Sequence, residues 1–429
     1  MNNWLNCLQP IERLGEIEQC LGLKLVANGP PQAFLGELCE IMDSRYQAIM
    51  HAEVIGFEQG KVFLMPFTTT KIQMGLKVRA TGHSITVPAG EALLGRIVDA
   101  FAQPLDGQGD IFCSEQAPLQ RSKINPLHRQ PIKERLLTGI HAIDSLLPLG
   151  EGQRVGLFAG SGVGKSVLLG MIVKQIASDI NVIALIGERG REVNDFIQQH
   201  LDSEVFKKSV VVVSCSDEPA LMRKQAVFTA TTIAEYFCSK GKKVALFMDS
   251  ITRLAMAQRE ISLSLGEPPT TRGYTPTVFS LLPKIVERAG NFVGQGSITA
   301  LYTVLVEGDD FNEPIADHMR ALLDGHIILT RALAQQGHYP AIDILQSTSR
   351  LAAQLLTPEE QLLVDKIISL FSLYQQNKDM IDVGAYKPGN NPKLDYAITR
   401  IDTINQLLVQ KQETLTLKTL LQRFSEILQ

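Results

Sequence analysis

A glycine-rich loop between a strand-like run and a helical pattern is the segment of this sequence with the clearest chemical meaning. Residues 159–166 follow the run 154–158 and precede the apolar helical pattern 167–173. Small residues let backbone N–H groups point at phosphate oxygens, and the N-terminus of the next helix adds positive dipole. The segment predicts a nucleotide phosphate loop, formed by Ala159, Gly160, Ser161, Gly162, Val163, Gly164, Lys165 and Ser166, with Val167 behind it.

Two groups near this loop predict a magnesium ion beside the bound nucleotide. Lys165 would reach the β- and γ-phosphates, and the hydroxyl of Ser166 would bind Mg²⁺. The apolar run 245–248 leads directly to Asp249. An acidic residue at the end of a strand beside a phosphate loop is the expected anchor for the magnesium ion and its waters.

Hydrolysis also needs a group that orients water, and Glu188 is the candidate. The apolar run 182–186 ends in Gly187 and Glu188, so the carboxylate would face the γ-phosphate and polarise the attacking water. Position alone leaves open a surface charge cluster with Arg189, Arg191 and Glu192.

Composition places these groups in an ordinary globular protein. The chain has 429 residues, of which 45% are hydrophobic and 20% charged, which suits about three domains. With 41 basic and 45 acidic residues the net charge is −4. This argues weakly against a dedicated nucleic-acid binder, which usually carries a basic excess.

Cysteine usage and hydropathy predict a cytoplasmic protein. No C-x-x-C pair or zinc-like Cys/His spacing occurs, so the six cysteines are expected to be reduced. The N-terminus does not resemble a signal peptide. No stretch approaches the roughly 20 apolar residues of a membrane span, so any membrane contact is expected to be peripheral.

The chain divides into four predicted segments. Residues 1–22 carry apolar residues at spacings of three and four, which predicts an amphipathic helix that either packs on its own domain or docks on a partner or a membrane surface. Residues 23–95 have short runs broken by Gly and Pro and predict a small β-barrel. Strands alternating with helices over 96–350, after a loop-rich connector, predict an α/β domain with a parallel sheet. Residues 351–429 predict a helical domain.

Several longer motifs resemble the export ATPases of type III secretion, a family related to rotary ATPases with a flagellar and an injectisome branch. The resemblance covers nearly the whole chain and is densest from about 135 to 350. Its motifs are the phosphate loop and residues 187–193, 266–274, 307–310, 314–317 and 323–326. It implies a small N-terminal β-barrel, a RecA-like nucleotide domain similar to the catalytic subunit of rotary ATP synthases, and a C-terminal helical domain. It also implies a homohexamer with ATP bound between subunits.

The resemblance assigns roles to individual residues. Glu188 matches the catalytic glutamate and Asp249 the magnesium-linked aspartate, with Lys165 in the phosphate loop. Arg350 matches an arginine finger, which would enter the neighbouring subunit's site and stabilise charge on the γ-phosphoryl group. Tyr339 matches an aromatic that packs on adenine, although a core tyrosine is the alternative.

The expected function is a Mg²⁺-dependent ATPase that delivers export substrates to a membrane gate. Residues 274–276, 287–291 and 382–389 look more flagellar than injectisome, so the flagellar branch is expected and the injectisome branch is the alternative. The resemblance implies export chaperones and substrates, the membrane gate, and a regulator or stator at the N-terminal helix as partners, with no nucleic acid. The protein is then expected in the cytoplasm at the inner-membrane export apparatus.

Three other functions fit the sequence less well. Rotary synthase subunits usually end the phosphate loop in Thr, whereas this chain has Ser166. A hexameric RNA translocase would need a barrel with RNA-stacking aromatics and a basic surface, but residues 23–95 have few aromatics. A non-catalytic ring subunit should lack the glutamate that is present at position 188.

Overall fold

A closed six-stranded barrel begins the part of the chain that the computed structural model describes, which is residues 14–68, 72–121, 124–411 and 415–429. The strands are antiparallel in the order β1-β2-β5-β4-β3-β6. Alternate side chains point inward and fill the barrel, as in β3, where buried and half-buried positions alternate. The strand bounds are β1 Gly15–Leu21, β2 Lys24–Asn28, β3 Glu37–Met42, β4 Ala48–Glu58, β5 Lys61–Pro66 and β6 Lys77–Ser84.

The amphipathic helix predicted for residues 1–22 is wrong over Gly15–Leu21, which is strand β1 of the barrel. Residues 1–13 of that prediction lie outside the described residues. The apolar spacing also fits a strand, because Ile17 points into the barrel while Glu16 and Glu18 point outward and pair with lysines of β6 and β5. Pairing of β1 with both β2 and β6 closes the barrel, and this long-range pairing outweighs the local helical pattern.

Short strands lead from the barrel into the second unit. Strands β7 (Thr86–Ala89) and β9 (Glu115–Pro118) pair with each other, and β8 (Arg96–Val98) joins the edge of the large sheet. Strands β10 (Arg135–Leu136) and β11 (Leu149–Gly150) form a separate pair.

A large sheet of nine strands, counted over the described ranges, is the centre of the molecule. Its order is β19-β18-β12-β17-β15-β13-β14-β8, with β16 beside β17, and neighbours are parallel except at β16 and β19. Helices cover its faces, so central strands such as β13 are buried at every position. The bounds are β12 Arg154–Ala159, β13 Ile180–Ile186, β14 Ser209–Ser214, β15 Lys243–Asp249, β16 Gly290–Asn291, β17 Ser297–Leu305, β18 Gly325–Leu329 and β19 Thr348–Ser349.

The helices of the sheet domain connect successive strands. They are α1 His141–Leu146, α2 Lys165–Gln175, α3 Gly190–His200, α4 Ser203–Lys207, α5 Ala220–Ser239, α6 Ile251–Ser264, α7 Pro276–Val286, α8 Pro314–Leu322 and α9 Arg331–Gln335.

Helices complete the chain. They are α10 Ala352–Leu355, α11 Pro358–Asp382, α12 Pro392–Leu408 and α13 Leu417–Ile427. A capping box starts α11, where the side chain of Thr357 accepts from the N–H of Glu360 and the Glu360 side chain accepts from the N–H of Thr357. The predicted architecture of barrel, parallel α/β sheet and C-terminal helices is confirmed. Within the described ranges no helix combines the length and apolar character needed to span a bilayer.

The order of the central strands brings the predicted site residues to one edge of the sheet. Strand β17 lies between β12 and β15, and β13 lies on the other side of β15. Because these strands are parallel, the ends of β12, β13 and β15 reach the same edge, and Asp249 pairs in register with Leu185. Ligands of open α/β sheets bind at this carboxyl edge.

Candidate active site

The phosphate loop begins at the last residue of β12 and runs into the first turn of α2. Gly162 and Gly164 have φ of +77° and +95°, a left-handed conformation that side-chain-bearing residues rarely adopt. The turn brings the free N–H groups of the first turn of α2 to the loop, where an anion is favoured. Residues 159–166 thus form the strand–loop–helix arrangement predicted from the sequence.

Lys165, the first residue of α2, lies between two carboxylates. Its Nζ pairs closely with Oδ1 of Asp249 and lies 3.5 Å from Oε1 of Glu188. Burial of Lys165 lowers its pKa, but the two carboxylates outweigh this effect, so its pKa is raised. The side chain therefore keeps its positive charge at neutral pH, as a phosphate-binding lysine requires.

Asp249 ends β15 and is held from the neighbouring strand. The hydroxyl of Thr303 on β17 donates a hydrogen bond of 2.6 Å to Oδ1 of Asp249. Asp249 is 3% exposed, so its orientation is fixed by Thr303 and Lys165. Sequence reasoning missed Thr303, whose only sequence signal is a polar residue inside the apolar strand β17.

The donor set beside Lys165 fits a magnesium ion. Mg²⁺ prefers oxygen ligands, usually a small number of carboxylates and hydroxyls together with water and phosphate. Asp249 supplies a carboxylate, and Ser166 supplies an exposed hydroxyl on the first turn of α2. Both residues adjoin Lys165, one by contact and the other along the chain.

Glu188 follows the end of β13 and carries an oxygen without a hydrogen bond. Its Oε1 is buried and accepts no hydrogen bond from the described part of the chain. Burial, more than any other cause, raises the pKa of Glu188, and Asp249 and the neighbouring Glu192 raise it further against the opposing charge of Lys165. A water molecule that donates to Oε1 would add a hydrogen bond to an oxygen that otherwise has only its ion pair with Lys165.

Arg253 is a site residue that sequence reasoning missed. It lies in the first turn of α6, against Gly187, where an added Cβ would come within 3.0 Å of its side chain. The positive charge of Arg253 acts to lower the pKa of Glu188, and its buried Nε has no hydrogen-bond partner among the described residues. The sequence signal for Arg253 was its position shortly after Asp249, in the first turn of the helix that Ser250 caps. Arg253 therefore adds a cation close to Glu188 and to the end of β13.

Tyr339 lies against the phosphate loop. A Cβ built on Gly164 would lie 3.5 Å from Cε1 of Tyr339, and the side chain is 45% exposed. This exposure contradicts the alternative of a core tyrosine. The position is compatible with stacking on a base, which stays a prediction.

Arg350 lies far from the phosphate loop of its own chain. It follows Ser349 of β19, which pairs with Gly325 at the start of β18, and Gly325 also pairs with Val155 near the start of β12. Ala159, at the loop, is four positions farther along β12. At about 3.3 Å per residue the strands separate the two sites by about 13 Å.

The side chain of Arg350 is also directed away from that site. It is exposed, and its Nη2 donates a 2.9 Å hydrogen bond to the backbone carbonyl of Arg320 on α8. The structure therefore brings together Lys165, Glu188 and Asp249 in one chain, but not Arg350.

Comparisons with known proteins agree with this arrangement. The nucleotide-binding domain of the ATP synthase alpha/beta family matches residues 139–349. The T3SS EscN ATPase C-terminal domain matches residues 356–426. The flagellum-specific ATP synthase of Bacillus subtilis is 48% identical over 413 residues, which is 95% of this chain and 93% of that protein.

Two solved structures share the whole architecture. The assembled ATPase EscN of the enteropathogenic E. coli type III secretion system has a TM-score of 0.91 and 42% identity, over 97% of this chain and 100% of that one. The assembled EscN in complex with its central stalk EscO has a TM-score of 0.88 and 40% identity, with the same coverage of both chains.

Proposed function

The chain belongs to the type III protein-export ATPases, the family of the flagellum-specific ATP synthases, and from this premise we propose that it hydrolyses ATP at the site around Lys165 to support flagellar protein export. The observation that carries the catalytic part is the buried Oε1 of Glu188, which lacks a hydrogen bond and lies 3.5 Å from Nζ of Lys165. A subunit that only bound nucleotide would have no need of this carboxylate.

Each residue of the site has a proposed task. Residues 159–166 bind the phosphates through backbone N–H groups, and Lys165 neutralises their charge. Ser166 and Asp249 hold Mg²⁺, which when bound supplies positive charge to the phosphate oxygens. Glu188 accepts a hydrogen bond from the attacking water and orients it towards the γ-phosphorus.

Arg350 is proposed to act in the site of a neighbouring copy. Its position at the far end of the strands keeps it from its own phosphate loop. A homohexamer with active sites between subunits would bring this guanidinium to the γ-phosphate of the next subunit, where it stabilises transition-state charge. The assembled state of EscN supports this arrangement.

The partners are proposed from the same relationships. The complex of EscN with its central stalk EscO supports a stalk-like partner for the ring. Export substrates, their chaperones, a regulator at the N-terminus and the membrane gate are proposed as further partners, with peripheral contact at the inner membrane and no nucleic acid. The regulator was expected to bind the helix predicted for residues 1–22; residues 1–13 lie outside the described residues, and Gly15–Leu21 is strand β1.

The injectisome is the second candidate system, because EscN belongs to a type III secretion system and shares 42% identity with this chain. The flagellar assignment is favoured by the 48% identity to the Bacillus subtilis relative. The two assignments differ in cargo rather than in the chemistry of the site.

One experiment in the cell tests the proposal. Glu188→Gln, introduced at the native locus, should abolish swimming and the appearance of filament protein in the medium while the variant protein stays at normal level. Normal motility would contradict a catalytic role in flagellar export, and secretion of effector proteins would then test the injectisome.

A further inference from the structure

A buried glutamine from the C-terminal helices reaches into the nucleotide domain. Gln410 lies between α12 and α13 and is 4% exposed. Its Nε2 donates a 2.8 Å hydrogen bond to the carbonyl of Gly139, and its Oε1 accepts a 3.1 Å hydrogen bond from the N–H of His141. The amide group is thus bonded at both ends, as a buried polar group requires.

One of these bonds replaces a missing helix cap. Helix α1 begins at His141, and its N-cap residue Ile140 has no side-chain group to accept from the helix N-terminus. Gln410 supplies this acceptor from a distant part of the chain. The side chain is therefore anchored to helix α1 of the nucleotide domain.

The His141 ring also contacts residues that lie before and after Gln410 in the sequence. Its Nδ1 lies 3.0 Å from the carbonyl of Leu407, and the N–H of Leu415 donates a 3.0 Å hydrogen bond to its Nε2. These partners require a neutral ring that carries its proton on Nδ1. The segment around Gln410 is thus held on both sides of that residue.

The backbone of Gln410 connects this anchor to Tyr339. The N–H of Gln410 donates a 2.8 Å hydrogen bond to the carbonyl of Tyr339. The Tyr339 ring lies beside the phosphate loop, 3.5 Å from the place of a Cβ on Gly164. Two contacts therefore connect the C-terminal helices to the phosphate loop. One is the hydrogen bond from Gln410 to Tyr339, and the other is the packing of the Tyr339 ring beside Gly164.

From these contacts we propose that Gln410 is a positioning residue that holds Tyr339 over the nucleotide and makes nucleotide affinity depend on the placement of the C-terminal helices. This inference rests on the proposed nucleotide site around Lys165. Gln410 does not touch the reacting groups, so it should affect binding and leave the chemical step unchanged.

Binding of a fluorescent ADP analogue to the full-length protein tests the proposal. Gln410→Ala removes the hydrogen bonds to Gly139 and His141, and a net loss of about 1 kcal/mol weakens binding about fivefold. KM for ATP should rise by a similar factor, while kcat at saturating ATP stays within about twofold of wild type. Gln406→Ala, at an exposed position of α12, is the matched control and should bind as wild type does.

A double-mutant cycle separates positioning from general destabilisation. If Gln410 acts through Tyr339, the double variant Gln410→Ala, Tyr339→Ala should bind no more weakly than Tyr339→Ala alone. A further fivefold loss in the double variant would overturn the proposal. Gln410→Met keeps most of the side-chain volume and removes the same hydrogen bonds, so it should show a similar loss even if Gln410→Ala folds poorly.

Binding by the wild-type protein tests the nucleotide function separately from the positioning role of Gln410. If it fails to bind the analogue, the proposed nucleotide function is wrong. If it binds and both Gln410 variants bind equally well, the nucleotide function stands and the positioning role is overturned.

Discussion

Thr303 donates its hydroxyl hydrogen to Oδ1 of Asp249 over 2.6 Å, and the same oxygen pairs with Lys165. One carboxylate oxygen is therefore shared by a hydroxyl from strand β17 and an ammonium from helix α2. This sharing fixes the aspartate in the direction of the phosphate loop before any ligand arrives, which lowers the ordering cost of binding.

Thr303→Val tests this relationship because valine keeps the shape of threonine and removes the hydrogen bond. We expect turnover to fall about fivefold, from the loss of about 1 kcal/mol of orientation, and more Mg²⁺ to be needed for half-maximal rate. Steady-state ATPase assays across a Mg²⁺ titration measure both. Thr299→Val, near the other end of the same strand, removes the hydroxyl that accepts a hydrogen bond from the N–H of Gly152, and it should leave the Mg²⁺ requirement unchanged. Equal effects of the two variants would count against a role for Thr303 at the site.

Lys165→Ala should abolish detectable turnover and weaken nucleotide binding by at least about tenfold, because charged hydrogen bonds to phosphate contribute about 1.5–3 kcal/mol each. Titration with a fluorescent nucleotide and a phosphate-release assay measure the two effects. Lys174→Ala is the matched control, since Lys174 lies on the same helix and bonds only the carbonyl of Gln199 among the contacts described. Retained turnover in Lys165→Ala would remove this lysine from the mechanism.

The pH dependence of kcat should report on Glu188. Its raised pKa means that the carboxylate is lost as pH falls through a value above the ordinary glutamate pKa of 4.5, and the rate should fall with it. Glu192 is one of the groups that raise this pKa through a hydrogen bond. In Glu192→Gln the acid limb of the kcat profile should therefore move to lower pH.

A second substitution on the same helix provides the control for that shift. Asp195→Asn removes a carboxylate that pairs with Arg191 at 3.5 Å and should leave the acid limb in place. An acid limb that stays fixed in Glu192→Gln, or that moves equally in both variants, would show that another group controls it.

Mixing two inactive variants tests whether Arg350 acts between copies. Arg350→Ala lacks the proposed arginine finger and Glu188→Gln lacks the carboxylate proposed to orient the attacking water, so each alone should be inactive. In mixed rings some interfaces combine Glu188 of one chain with Arg350 of another, and part of the activity should return. Co-purification of differently tagged chains establishes mixing. Mixed rings without activity would argue against a role between copies.

The phosphate loop and the ends of the strands could be predicted because their signals are local. Residues 159–166 carry the loop in their spacing, and Asp249 directly follows an apolar run. The parallel sheet then brings these positions to one edge by topology alone. For Glu188 the sequence left a surface cluster open, and the burial of Oε1 distinguishes it from its exposed neighbour Arg189.

Long-range contacts were not predictable in the same way. Gly15–Leu21 has a helical spacing of apolar residues but is a strand, because its partners lie in β2 and β6. Thr303 and Arg253 carry no motif, and only the strand order and the start of α6 place them at the site. The resemblance to a known family identified Arg350, but the register of β18 and β19 was needed to show where it lies.

The distance between Arg350 and its own phosphate loop has a consequence for how the protein spends ATP. On the proposed mechanism a solitary copy binds ATP but lacks the arginine that completes the hydrolytic site. Specific activity should then rise steeply with protein concentration, and dilution alone should inactivate the enzyme. Unassembled copies in the cell would then consume little ATP, because hydrolysis would begin only where copies assemble.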